Sequence, residues 1–283
     1  MSRQGKKPHI YTPSTISELL SIMKGHPRSI LFGGGTYLMS GYSSRPLAGE
    51  IISLSNIQEL SRVNRSDSYL EIGSCVTIDH ILNLKRYLGM KALFRALETI
   101  GTAPLRSIAT IGGNIGLGAE TVNLLPVLYL LETRIEIRVP GNTAWIPIRK
   151  YYEGDTGIYE GGCITRIRIP ISRKSFEHYE LIGENSGLET NTLAFCCLAD
   201  INKEGIISSL GCSFCLGGTG IIRNMEMESI VEGKKIPLSR KDITRAVDNM
   251  ETTFESLTTP VISLRRDQII GLLRNTLIRM GEE

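Results

Sequence analysis

The sequence predicts an α+β protein, with a larger α/β region in front and a smaller region of antiparallel sheet plus helices behind. Three observations carry this prediction. Up to about residue 171, short apolar runs alternate with helical patterns. Beyond Pro170 the runs lengthen and two of them are joined by a tight turn. Two long helical patterns then close the chain. A length of 283 residues makes two or three modules the expectation. Hydrophobic content of 41% and charged content of 22% are those of a folded protein with a real core.

The elements follow in order. Ser14 and Thr15 open a helix whose apolar stripe is Ile16, Leu19, Leu20 and Met23, and Thr15 with Glu18 fits a capping box. "SILF" (29–32) is a short strand that runs into Gly33, Gly34 and Gly35. Further strands are expected at "EIISL" (50–54) and "YLEIGS" (69–74), and a helix begins after Thr77. "MKALFRALETI" (90–100) is an amphipathic helix. After a second glycine loop, "IATIGGNIGLG" (108–118), come the apolar run Leu124 to Leu131 and strands at "RIEIRV", "AWIPI" and "CITRIRI". A boundary is expected near 172. Beyond it, "FEHYELIG", "LAFCCLADI" and "IISSLGCSFCLGG" read as strands, the last two joined through "NKEG" as a hairpin. Helices are expected at about 239–257 and 262–280, on one side of that sheet.

Charge and composition exclude several roles. A dispersed net charge of +3 gives no footprint for nucleic acid. "LLPVLYLL" is far short of a membrane span and contains a proline, and "MSRQGKKPHIYTP" lacks the apolar core of a secretory signal. Six scattered cysteines are free-thiol usage, so the expectation is a soluble cytoplasmic protein. Cys212 and Cys215 have metal-knuckle spacing but no second pair, and three residues apart on a strand they point to opposite faces. His9, His26, His80 and His178 form no cluster, so no metal site and no catalytic residue is assigned.

The two glycine loops carry the functional signal. Neither has the G-x-G-x-x-G of a Rossmann turn or the P-loop pattern. Three successive glycines let a backbone aim several N–H groups at one point, with no Cβ to keep a ligand away. Thr36 adds a hydroxyl, and a helix starting there would add its dipole. Gly112, Gly113 and Asn114 are candidates for a second nest. Two facing nests suit a dinucleotide. Tight turns at subdomain corners are the other reading of the same residues.

Resemblance goes further. "ILFGGGTYLM" resembles the A-G-G-T-D-L loop, and "LRSIATIGGNI" the I-R-N-x-A-T-I-G-G-N-I loop, of the FAD-binding subunits of molybdenum hydroxylases, the family of xanthine dehydrogenase and carbon monoxide dehydrogenase. "NLLPVLYLLETRIEI", "HYELIG", "SSLGCSFCLGGTGIIR" and the C-terminal "TTPVISLRRDQIIGLLRNTLIRM" extend the likeness over essentially the whole chain. It implies a PCMH-type, non-Rossmann FAD-binding domain over 1–171, in two subdomains of about 1–58 and 59–171. A C-terminal domain over 172–283 would follow.

The resemblance implies noncovalent FAD, with Leu31, Phe32, Gly33, Gly34, Gly35, Thr36, Tyr37 and Leu38 around the pyrophosphate. Thr110, Gly112, Gly113, Asn114 and Ile115 would form a second wall, Arg106 stands just ahead of it, and Asn123 would meet the adenosine ribose. It further implies an iron–sulfur subunit carrying 2Fe–2S and a molybdopterin-binding subunit as partners, with NAD⁺ a possible final acceptor. Four departures stand out. Tyr37 replaces an Asp, Ala119 a serine and Asn123 an acidic residue, and Glu184 with Asn185 replaces a basic pair. An assembly subunit that has lost FAD and a stand-alone flavoprotein oxidase therefore remain as alternatives.

Overall fold

In the computed structural model of the protein, residues 8–40, 49–118, 121–154, 156–157, 160–183, 192–217, 220–257 and 261–282 are described. In chain order the elements are β1 (His9–Tyr11), α1 (Ile16–Gly25), β2 (Ile30–Phe32), β3 (Glu50–Ser53), a 3₁₀ turn (Gln58–Ser61), β4 (Val63–Arg65) and β5 (Tyr69–Gly73). Next come α2 (Ile78–Leu82), α3 (Lys85–Leu88), α4 (Lys91–Glu98), α5 (Ala103–Arg106), α6 (Ile111–Gly116) and α7 (Leu125–Leu130). β6 (Arg134–Val139), β7 (Asn142–Pro147), α8 (Ile148–Tyr152) and β8 (Cys163–Pro170) follow. The chain closes with β9 (Phe176–Ile182), β10 (Leu193–Ile201), β11 (Ile207–Leu216), β12 (Gly220–Ile222), α9 (Met225–Val231), α10 (Arg240–Ser256) and α11 (Ser263–Arg279).

These elements form two compact units. One holds residues 1–87, 100–118 and 131–171; the other holds 88–99, 119–130 and 172–283. The second unit is thus not continuous in sequence, unlike the expected 172–283. Two short helices account for the difference: α4 packs on β9, and α7 on β10 and β11.

The first unit contains two sheets. A three-stranded parallel sheet has the order β1-β3-β2, with His9 opposite Glu50 and Ile30 opposite Ile51. Its helix α1 is capped by Thr15, whose hydroxyl accepts from the Glu18 N–H at 3.1 Å. The return bond of the box is shifted by one residue: the Glu18 carboxylate accepts from the Ser14 N–H at 2.8 Å. Ile16, Leu19 and Met23 of α1 pack with Ile52, Leu54, Ile57, Leu60 and Cys163.

The second sheet is antiparallel, in the order β4-β5-β8-β6-β7. Its alternation sorts the faces. Leu70, Ile72, Ile135, Ile137, Ile167 and Ile169 are almost wholly buried, as are Ile78, Ile81, Ile111 and Ile115. The opposite face presents Glu71, Arg134, Glu136, Arg138, Trp145, Arg166 and Arg168.

The second unit is a four-stranded antiparallel sheet, β12-β11-β10-β9. Phe195, Cys197, Ala199, Cys212 and Phe214 join α9, α10 and α11 in one core on one face. On the other face the Ser213 hydroxyl donates to the Pro126 carbonyl of α7 at 3.3 Å. Helices therefore cover both faces, not one, and β10 is buried along most of its length. β12 pairs only with residues 214–216. Two carboxylates one turn apart, Glu228 of α9 and Glu232 at its C-cap, serve the rest of that β11 edge: Glu228 accepts from the Cys212 N–H at 2.8 Å and Glu232 from the Leu210 N–H at 2.9 Å.

Candidate functional site

The two glycine loops meet inside the first unit. A methyl group built on Gly34 would overlap the Ile108 carbonyl oxygen, and one on Gly33 would stand 3.0 Å from the Thr110 hydroxyl. Glycine is required at Gly34 because backbone lies against backbone, whereas at Gly33 the neighbour is the Thr110 side chain. Gly35 has φ +68° and its α-carbon lies against the Phe32 ring, so a side chain there is excluded twice over.

The loops differ in what they leave unbonded. The N–H groups of Gly33, Gly34, Gly35 and Thr36 donate to no acceptor among the described residues, and neither does the Thr36 hydroxyl. The chain then makes a single turn, closed by the Met39 N–H on the Gly35 carbonyl at 3.0 Å. No helix starts at Thr36, so the expected dipole contribution is absent. Four successive free donors on a half-buried loop are a nest for an anion.

In the second loop every such donor is spent. The N–H of Ile111 goes to the Val76 carbonyl, that of Gly112 to the Ser74 carbonyl, and that of Asn114 to the Thr110 carbonyl, all at 2.9–3.0 Å. The Gly113 N–H goes to the Thr110 hydroxyl at 3.1 Å. Thr110 is the N-cap of α6, and an N-cap followed by helix consumes the first-turn amides. The second-nest expectation is thus corrected. What this loop offers is bare glycine surface: a methyl at Gly113 would meet only the Thr110 hydroxyl, and one at Gly116 nothing. Ile115 is fully buried, so its side chain faces the core.

Two other expected site residues are committed elsewhere. Arg106 donates from Nη1 to the Gly101 carbonyl at 2.7 Å and the Ile100 carbonyl at 3.2 Å, tying down the chain ahead of the second loop. Asn123 lies in the second unit, wholly buried. Its amide donates to the Thr99 hydroxyl at 2.9 Å and the Thr99 carbonyl at 3.3 Å, and its oxygen accepts from the Thr121 hydroxyl at 3.2 Å. Its carbonyl also accepts from Tyr179 at 2.9 Å, and burial pushes that phenol above its ordinary range. The ribose contact expected of the Asn123 side chain is therefore not available. Leu31, Phe32, Tyr37 and Leu38 are half-buried along the first loop. Ala119, Glu184 and Asn185 lie outside the described residues.

Among the described residues no group of histidines, cysteines or carboxylates is placed to hold a metal ion, and no helix is long and apolar enough to cross a membrane. Cys212 faces Cys197 across the strands at 3.4 Å between sulfurs, and Cys215 points to the opposite face.

Thr110, whose side chain meets Gly33 while Ile108 meets Gly34, was legible only as one letter of the second motif, because the contact depends on how the strands fold. The free donors could be read only as a consequence of the triple glycine.

Comparison with known proteins agrees with this geometry. The family described as FAD binding domain in molybdopterin dehydrogenase matches residues 5–172. The xanthine dehydrogenase of Emericella nidulans is 24% identical over 186 residues, 61% of this chain and 14% of that protein. The xanthine dehydrogenase FAD-binding subunit of Escherichia coli O157:H7 is 26% identical over 146 residues, 50% of this chain and 49% of that one. The aligned parts thus take in about half of one relative and a small part of the other. The quinoline 2-oxidoreductase of Pseudomonas putida 86 superposes with a TM-score of 0.79 at 15% identity, over 99% of this chain and 97% of that chain, a likeness of fold. Because the family match spans more than half of the 283 residues and contains both glycine loops, the chain belongs to the FAD-binding domain family of the molybdopterin dehydrogenases.

Proposed function

We propose that the chain is the FAD-binding electron-transfer subunit of a molybdenum hydroxylase of the xanthine dehydrogenase and carbon monoxide dehydrogenase kind. The observation that carries this reading is the run of four unspent N–H groups at Gly33–Thr36, on a loop packed against Ile108–Thr110 of the second loop. When bound, FAD supplies hydride chemistry coupled to single electrons from an iron–sulfur partner.

The chain's own residues bind and orient. Gly33, Gly34, Gly35 and Thr36 give N–H donors to the pyrophosphate, and the Thr36 hydroxyl adds a fifth. Gly113 lets a flat group approach the backbone closely, with Asn114 at hand beside it, while Gly112 allows the loop to pack directly on Ser74. Thr110 and Arg106 act indirectly, by holding the second loop in place. Leu31, Phe32, Tyr37 and Leu38 shape the walls, and Ile115 contributes only its backbone. No side chain is asked to move a proton. The 2Fe–2S and molybdopterin groups belong in this reading to separate iron–sulfur and molybdopterin-binding subunits, NAD⁺ or another carrier is the acceptor, and the setting is cytoplasmic.

The test is an absorption spectrum of the purified chain after adding FAD and gel filtration. About one FAD per chain supports the reading. A second reading, an assembly subunit without flavin, is favoured by the internal bonding of Asn123 and by Tyr37 in place of an acid. A chain that stays colourless supports that one.

A further inference from the structure

The polar face of the five-stranded sheet carries a charged network apart from the glycine loops. Glu71 accepts from Arg166 Nη1 at 3.0 Å and from Arg168 Nε and Nη2 at 3.2 and 2.7 Å. Glu136 accepts from Arg166 Nε at 2.9 Å, Arg138 Nε at 3.1 Å and the Thr165 hydroxyl at 2.5 Å, with a further bond from Arg166 Nη2. Burial alone would raise Glu136, but these bonds together outweigh it and hold the carboxyl down to about 2. Arg168 lies between the Tyr69 and Trp145 rings, 4.5 and 4.2 Å from their centroids, so the array is fixed by stacking as well as by charge.

Glu136 accepts four hydrogen bonds and Glu71 three, while guanidinium donors are left over. The terminal nitrogens of Arg138 and the whole guanidinium of Arg62 have no partner among the described residues. These groups line a cavity of about 200 Å³ together with Arg166, Asn64, Glu71 and, at its rim, the exposed Glu59. Four guanidiniums (Arg62, Arg138, Arg166 and Arg168) thus stand against three carboxylates, two of them already paired with arginines.

We propose that this cavity binds a phosphate-type oxyanion, gripped by Arg62 and Arg138 with Arg166 as its floor. A guanidinium fork matches the edge of such an anion with two parallel hydrogen bonds. Arg138 is aimed by Glu136, so little ordering remains to be done when the anion arrives. The cavity is too small for a folded partner and roomy enough for a phosphate with its waters or an attached sugar.

The test uses the full chain saturated with FAD, so that the Gly33–Thr36 nest is occupied, and titrates inorganic phosphate and AMP by calorimetry. One site is expected, and Arg62→Met and Arg138→Met should each weaken it about tenfold, the effect of losing one charge-assisted contact. FAD retention, read by absorbance, should stay unchanged in both variants. AMP binding more tightly than phosphate would assign the oxyanion to a nucleotide, and equal binding to the free ion. Neither variant removes a partner of Glu71, and Glu136 keeps Arg166 and Thr165, so both variants should fold; a circular dichroism spectrum checks this. Binding that is absent, or equally strong in the double variant, overturns the proposal and leaves a solvated ionic face. If the chain holds no FAD, the same variants still decide the matter, because the glycine nest contains neither arginine.

Discussion

Gly34→Ala tests whether the two loops meet as described. The added methyl group would overlap the Ile108 carbonyl oxygen. That oxygen cannot retreat cheaply. The Ile108 and Ala109 N–H groups are bonded to the Leu105 carbonyl at 3.1 and 2.8 Å, the Ala109 carbonyl holds the Ile78 N–H at 2.9 Å, and Thr110 bridges to Thr77. The loop must therefore move, at the cost of about 1–3 kcal/mol typical of overpacking. At about 2 kcal/mol, a domain of roughly 150–250 residues loses about 4–8 °C in melting temperature. Trp145, the single tryptophan of the chain, lies in β7 of the same unit, so its fluorescence reads the melting of that unit. FAD retention should fall with it, since the nest and its opposite wall separate. Gly116→Ala is the control: nothing lies within 4 Å of the new methyl, so stability should hold or rise by up to about 1 kcal/mol. A Gly34→Ala chain that melts with the native one would refute the contact.

Four more outcomes follow from the same geometry. Thr110→Ala should cost about 1 kcal/mol by removing the cap on the Gly113 N–H, and should weaken FAD binding more than it lowers the melting temperature. Glu228→Ala should cost about 2–4 kcal/mol by orphaning the Cys212 N–H and unpairing Arg223, with faster hydrogen exchange at the Cys212 amide as its signature. Acid should weaken the first unit: Glu136 and Glu71 both have lowered folded pKa values. Their contribution is therefore present above the ordinary carboxylate range and lost as pH falls from there towards 2. Glu136→Gln should be less stable at neutral pH and lose stability less steeply between pH 5 and 3. Native thiol labelling should be slow everywhere and reach Cys75 first, because burial raises Cys75 to about 11 while Cys163 and Cys215, more deeply buried, go to about 12.

Local signals in the sequence were readable where local physics decides. Thr15 and Glu18 announce α1 because a cap is a contact within four residues, and the alternation of "RIEIRV" and "CITRIRI" announces strands with one polar face. Some short elements were not readable. β4 and β12 have three residues each, too few for any period to emerge, and each exists because a neighbouring strand supplies its ladder. The run Leu124–Leu131 gave apolarity without a period, since a segment buried all round carries no stripe; it folds as α7. Nothing local in "MKALFRALETI" says that α4 belongs with the second unit. That follows from β9, whose Glu177 carboxylate accepts from the Ala92 N–H at 2.8 Å and completes the start of the helix.

The site divides the same way, and the division bears on flavin binding. The triple glycine is a sequence property, and its free donors follow from it directly. The fate of a polar side chain does not: Asn123 reads from its motif as a ligand contact, yet in the fold it closes a bonded set with Thr99, Thr121 and Tyr179. Every hydrogen-bonding atom of that side chain has a partner within the second unit, and freeing its amide would leave buried groups unpaired at a cost of about 1–3 kcal/mol each. A ribose hydroxyl cannot repay that by one neutral hydrogen bond. Asn123→Ala should therefore lower the melting temperature of the second unit while leaving FAD affinity within about twofold, a difference under about 0.5 kcal/mol. A tenfold loss of FAD affinity in a normally folded Asn123→Ala chain would mean that the side chain leaves its partners when the dinucleotide binds, and that the residue serves the ligand after all.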